Sequence, residues 1–268
     1  SPDHIHLTGF LLASHPRPVR EAIETHRRGL DENPADYLHE NGQRLEAEVL
    51  DAAAGYLGVD PTEIALTDST TMGLGLLYGG LKLREGQDVL TSQHDHYSTA
   101  TALRLRAERT GTSVRTVSLY ANPASATEEE ITEAVVRALK PRTRVVAVTW
   151  VHSSTGVKLP IRRIADALAE VNAQRDDGER ALLCVDGVHG LGVDGTTMAD
   201  LGCDFFVAGT HKWMFGPRGT GLVWGRGEAW PPATATIPCF NRRAGQSWRK
   251  EIPPEEIPGA ALMTPGGF

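Results

Sequence analysis

The sequence predicts a three-layer α/β/α fold around a mainly parallel, seven-stranded sheet. Short apolar or β-branched runs recur along the chain with little polar alternation, as in strands buried on both faces. Longer amphipathic stretches separate them, which is what crossovers between parallel strands require. Neither an internal repeat nor a long low-complexity linker interrupts the 268 residues, a length that suits one large α/β domain or one domain with part of another.

In chain order, a helix is expected over 43–58 and a strand over 63–67 (Glu-Ile-Ala-Leu-Thr). Helix 71–83 follows, then strand 88–92 (Asp-Val-Leu-Thr-Ser), helix 99–110 and strand 113–118. Helix 128–140 opens on Thr127-Glu-Glu-Glu130, a threonine cap with an acidic first turn, the chemistry a helix N-terminus favours. Strand 144–150, helix 161–172 and strands 181–186, 205–208 and 221–224 complete the series. The stretch 228–258 breaks the rhythm with Pro231, Pro232, Pro238, Pro253, Pro254 and Pro258, and predicts an irregular connector with a short antiparallel segment. A start without methionine at Ser1 suggests a trimmed N-terminus, and the closing Met263-Thr-Pro-Gly-Gly-Phe268 is a turn signal that suggests a cut end.

Composition narrows the function. A net charge of −7 supplies no basic stripe for phosphates, which argues against nucleic-acid binding. No apolar run approaches a membrane span and no basic-then-apolar leader opens the chain. Cys184 and Cys203 lie in apolar stretches as small core residues, and with Cys239 they make an odd, widely spaced set. A reducing, cytoplasmic setting is therefore expected. Lysines are scarce: Lys82, Lys140, Lys158, Lys212 and Lys250 are the chain's only side-chain amines.

Four constellations fall at expected strand ends, where open α/β sheets bind ligands. Thr67-Asp-Ser-Thr-Thr-Met-Gly73 offers the hydroxyls of Ser69, Thr70 and Thr71 at a helix start, fit either for a phosphate or for plain N-capping. Gln93-His-Asp-His-Tyr-Ser98 suggests a metal site on His94, Asp95 and His96, but alternate residues of an extended segment point apart. An imidazole there suits stacking on a planar ligand. Asp186 closes the apolar strand Leu182-Leu-Cys-Val-Asp186, a costly place for a carboxylate unless a cation or donors meet it; the local alternative is a loop cap. Lys212 follows the run 205–208 and enters a Gly/Pro-rich turn, a partly dry setting that lowers an amine's pKa and suits a Schiff base, though most lysines simply pair with a carboxylate. A phosphate cradle, a stacking imidazole, a carboxylate for a ring nitrogen and a lysine for an aldehyde are the needs of pyridoxal phosphate.

Val185-Asp-Gly-Val-His189 and Gly209-Thr-His-Lys-Trp-Met-Phe-Gly-Pro-Arg-Gly219 resemble the motifs of fold-type-I pyridoxal-phosphate enzymes of the class V aminotransferase superfamily. That group holds isopenicillin N epimerase-like proteins and cysteine desulfurases, and the resemblance runs from about His6 to Phe268. It implies that Lys212 is the Schiff-base lysine, Asp186 the partner of the ring nitrogen and His96 the stacking imidazole. His211, Thr70 and Thr71 match phosphate-contact positions, and His189 a position that usually carries a glutamine near the phenolic oxygen. Ser153, in Val151-His-Ser-Ser-Thr-Gly156, stands where desulfurases carry an asparagine, a departure that favours an epimerase-like branch. Cys239 is not placed for the desulfurase nucleophile.

The same resemblance implies an N-terminal arm over 1–17, a cofactor-binding large domain over 18–258 and, over 259–268, the start of a connection to a largely absent small domain. Leu7-Thr-Gly-Phe10 resembles a stretch on the substrate side; Thr264 and Gly266-Gly267 resemble a segment that reaches a neighbouring subunit's cofactor phosphate, which implies a homodimer. The implied activity is chemistry at Cα of an amino acid or amine through a Lys212 aldimine, epimerase-like or lyase-like first, with transamination and desulfuration behind. Rival readings are a PLP-fold binding module without turnover, a metal hydrolase on His94, Asp95 and His96, and a nucleotide-dependent oxidoreductase using Gly73-Leu-Gly75, which lacks the full glycine fingerprint.

Overall fold

A computed structural model describes residues 3–5 and 7–265. Among them, seven strands form one sheet: β1 (Ile64–Thr67), β2 (Asp88–Ser92), β3 (Ser113–Val117), β4 (Thr143–Thr149), β5 (Leu182–Asp186), β6 (Phe205–Gly209) and β7 (Gly221–Gly225). Their order is β1-β7-β6-β5-β4-β2-β3. The pairs β2–β3, β2–β4, β4–β5 and β5–β6 are parallel, and β7 lies antiparallel between β6 and β1. Six strands thus point one way and β7 runs back, so the sheet is mixed and mainly parallel.

Alternate residues of the central strands face two separate cores. On β4, Val146 and Val148 join the core of α5 (Glu128–Ala138) and α6 (Ile161–Asn172), with Ile131, Val135, Ile161 and Ile164. Val145 and Ala147 join the opposite core of α3 (Thr70–Gly80) and α4 (Tyr97–Thr110), with Leu74, Leu77 and Leu103. Phe206 and Ala208 against Phe205 and Val207 repeat the division on β6. Period-two side chains that meet apolar partners on both sides explain why these strands carry no polar face.

The helical periphery differs from expectation. Helix α1 (Arg17–Glu32) went unpredicted, and α2 (Pro34–Leu57) starts well before residue 43. Helix α1 buries no residue fully; its apolar face is short, with Val19 and Ile23 partly buried among charged neighbours. It leans on α2, where Tyr37 Oη and His26 Nδ1 share a hydrogen bond of 2.7 Å. Short helices α7 (Met198–Leu201), α8 (Arg242–Trp248) and α9 (Gly259–Met263) also went unpredicted, although α9 inserts Ala260 and Met263 into the core of α3 and α4. The antiparallel segment expected within 228–258 is limited to isolated bridges, Leu81 with Ala233 and Cys239 with Pro265. The first of these also marks the end of α3 before residue 83, where the Lys82 N–H donates to the Pro232 carbonyl and the Gly80 carbonyl accepts from the Thr234 N–H. Among the described residues, no helix is long and apolar enough to cross a membrane.

Candidate active site

Because β1, β2, β4, β5 and β6 run in one direction, their carboxyl ends share one edge of the sheet, and the loops beyond them meet at a cleft of about 100 Å³. Its lining contains Ser69, Thr70 and Thr71 after β1, His96 after β2, Ser153 after β4, Asp186 and His189 at β5, and His211 and Lys212 after β6. Thr264 is elsewhere: its hydroxyl accepts the Leu66 N–H at 3.1 Å beside a separate groove. Gly266 and Gly267 lie outside the described residues.

Helix α3 aims its N-terminus at the cleft. Ser69 caps it by accepting the Met72 N–H at 3.1 Å. Thr70 Oγ1 accepts the Gly209 N–H at 2.7 Å, which ties this helix start to the end of β6. A Cβ on Gly209 would stand 3.2 Å from both Thr70 Oγ1 and His211 Nδ1, so glycine there keeps the cradle open. His211 Nδ1 is buried and without a partner among the described residues. Free N–H groups, hydroxyls and an imidazole converge as an anion's oxygens would require.

Asp186 lies buried at the floor, its carboxylate accepting the Val188 N–H at 3.1 Å. Burial pushes this carboxyl up to about 7, only partly offset by the Val188 N–H and by Lys212. Beside it in register, Thr149 has a buried Oγ1 with no partner among the described residues. Lys212 is half-buried, which lowers its amine, with Asp186 acting in the opposite sense. His189 Nε2 stands 3.3 Å from Lys212 Nζ, and its Nδ1 accepts from Trp213 Nε1 at 3.2 Å. Burial first, then the charge of Lys212 and His96, brings the His189 imidazole down to about 4. His96 and His211 are lowered by burial and then by Lys212, with Arg218 adding to the effect on His211.

The residues of the suggested metal triad separate. His94 stacks on Tyr120 with centroids 4.0 Å apart, and Asp95 accepts from Thr91 Oγ1, Ser92 N and Thr149 N at 2.6–2.9 Å. Only His96 of the three faces the cleft. Among the described residues, no group of three or more His, Cys, Asp or Glu side chains is placed to hold a metal ion.

A family model described as aminotransferase class-V matches residues 13–238. The chain belongs to that family. Class-V aminotransferases use pyridoxal phosphate, and the cleft residues fit it: the α3 cradle and the orphaned His211 Nδ1 suit its phosphate, and buried Asp186 suits a cationic ring nitrogen. The isopenicillin N epimerase of Amycolatopsis lactamdurans is 30% identical over 210 residues, 78% of this chain and 50% of its own length. That of Streptomyces clavuligerus is 29% identical over 258 residues, 94% of this chain and 60% of its own. A cysteine desulfurase of Klebsiella pneumoniae is 26% identical over 217 residues, 77% of this chain and 50% of its own. The chain thus spans about half the length of the curated relatives it matches. Among solved structures, the cystine C–S lyase C-DES in complex with its product cysteine persulfide superposes with a TM-score of 0.81 at 22% identity, covering 97% of this chain and 66% of that one.

Thr149, Ser98 and Val188 also line the cleft and were not expected there. Thr149 ends a strand in register with Asp186, so the strand-end rule that found Asp186 applied to it equally. Trp213 gave no comparable signal, since its role depends on an imidazole from another strand.

Proposed function

We propose that this chain forms the cofactor-binding part of a pyridoxal-phosphate enzyme that acts at Cα of an amino acid or amine. The observation that carries the proposal is the meeting of Lys212, Asp186, His96 and the Ser69–Thr71 hydroxyls in one cleft. When bound, the cofactor supplies an aldehyde for the amine and a ring that accepts electrons from the substrate. The rest falls to the chain. Lys212 Nζ, kept partly dry, is the nucleophile toward the aldehyde and the base that takes or returns a proton at Cα. Asp186 holds the ring-nitrogen proton, and His96 covers the ring face. Ser69, Thr70, Thr71 and His211 hold the phosphate, while Ser153 and His189 serve the side of the phenolic oxygen. Thr264, directed away from its own cleft, serves a neighbouring subunit in a homodimer.

An epimerase-like or lyase-like outcome is preferred; the epimerase relatives and the presence of Ser153 favour the first. A visible-absorption titration with pyridoxal phosphate tests the reading. Wild type should develop a band that Lys212→Ala lacks and Asp186→Ala weakens. Folded wild-type protein that gives no band at saturating cofactor would sink the proposal and leave a binding module.

A further inference from the structure

Trp213 makes a contact that determines where a proton sits. Its indole N–H donates to His189 Nδ1 at 3.2 Å, while His189 Nε2 stands 3.3 Å from Lys212 Nζ. An indole nitrogen has no lone pair to offer, so Nδ1 must be the acceptor. A neutral imidazole that accepts at Nδ1 carries its hydrogen at Nε2, pointing at Lys212. An ammonium has three donors and no acceptor, so Nε2–H against it would be donor against donor. A neutral amine offers a lone pair, and the 3.3 Å contact becomes a hydrogen bond.

We propose that Trp213 is a positioning residue that locks His189 in its Nε2–H tautomer and, through it, holds the Lys212 amine in its neutral, nucleophilic form. The loop is built to keep the indole in place. Gly192, at φ 85°, brings its turn so close that a Cβ would lie 2.7 Å from the Trp213 carbonyl carbon. A Cβ on Gly9 would stand 3.5 Å from the indole ring, so the N-terminal segment packs on it. Beyond Lys212 the chain turns back through Phe215, held in the left-handed region at φ 55°, a conformation costly for a bulky residue. Lys212 and Trp213 are consecutive, so one rigid turn sets both the amine and the group that orients its neighbour.

The other ionisable groups around the amine act independently of Trp213. Asp186 favours the ammonium, while His96 and His211, when charged, oppose it; Arg218 acts on His211. Because burial already pushes Asp186 up to about 7, it is only partly ionised near neutrality, which reduces its pull on the ammonium. The imidazole tautomer is thus the local feature able to reverse its preference between the two forms of the amine: Nε2–H favours the neutral amine, a bare Nε2 the ammonium.

The inference rests on the proposed role of Lys212 for its chemical consequence, whereas the tautomer belongs to the ligand-free protein. Proton–nitrogen NMR of protein labelled at histidine, with His189 assigned through His189→Gln, reads it at pH 7. Wild type should show a protonated Nε2 and a bare Nδ1, and Trp213→Phe a mixture of tautomers. A wild-type His189 with its proton on Nδ1 overturns the proposal, whatever any variant does. The second readout is the rate at which pyridoxal phosphate is trapped on Lys212 by borohydride, followed against pH by peptide mass. Trp213→Phe should move the inflection to higher pH and slow trapping at pH 7 by about tenfold, one pKa unit of the amine. In a His189→Ala background the same change should alter the rate less than about twofold, since no imidazole remains for the indole to orient. Equal slowing in both backgrounds would show that the indole acts by packing, and would overturn the proposal. If wild type traps nothing at Lys212, the cofactor reading falls while NMR still decides the tautomer.

Discussion

Asp186 is where pH should act most visibly. Its carboxyl is raised from 3.8 to about 7 by burial, so the folded, ligand-free protein binds this proton more tightly than the unfolded chain does. Stability from this group is present below pH 3.8 and is lost as pH rises through 7. Asp186→Asn removes the charge and keeps an oxygen for the Val188 N–H. Relative to wild type it should gain stability from pH 5 to pH 8.5, by as much as about 3 kcal/mol, the two pH units between 5 and the folded value. Urea unfolding of both ligand-free proteins at the two pH values checks this, and a gain independent of pH would refute it. Asp186 and Lys212 were legible in the sequence because a charge at the end of an apolar strand has few cheap explanations. Thr149 and Trp213 were not, being ordinary residue types whose importance arises only when β4, β5 and the 210–216 turn come together.

At the scale of elements, the α3 N-terminus and its seat on the sheet would carry the proposed anion cradle. Ser69→Ala removes the cap and should cost about 1 kcal/mol of stability. It should also weaken pyridoxal-phosphate affinity several-fold, because the first turn loses a hydroxyl and its fixed direction. Gly73→Ala acts differently: its Cβ would stand 2.6 Å from Val207 Cγ1 and 3.0 Å from Val223 Cγ2. Forcing α3 off β6 and β7 should cost about 1–3 kcal/mol. Thermal unfolding with and without cofactor separates the two cases; wild-type stability in the Gly73 variant would mean that α3 does not seat tightly on the sheet. Helices that cross between parallel strands were readable from their apolar faces, as with α6, predicted over 161–172 and found there. Helix α1 was not, since its partly buried side chains meet mainly α2.

For the whole molecule, the mainly parallel sheet followed from uninterrupted apolar runs, but the reversal of β7 did not. The chain length between Gly209 and Gly221 suits a hairpin-like return, yet nothing in the residues of β7 distinguishes it from a parallel strand. Large apolar side chains remain exposed, among them Leu7, Tyr97, Phe240 and Trp248, each at least 75% accessible. Tyr97 adjoins His96 at the start of α4, so an apolar surface continues from the edge of the cleft. In the proposed homodimer a second copy would cover such surface, and Thr264 would serve its cleft. Light scattering should therefore report twice 28.9 kDa at micromolar concentration, and a monomer throughout would remove Thr264 from the cofactor site.

One amine of five is set apart by its surroundings. Borohydride reduction in the presence of pyridoxal phosphate, followed by peptide mass mapping, tests it directly. A pyridoxyl label should appear on Lys212, with Lys82, Lys140, Lys158 and Lys250 unlabelled at matched cofactor. Label spread evenly over the lysines, or absent from Lys212 in folded protein, would contradict it.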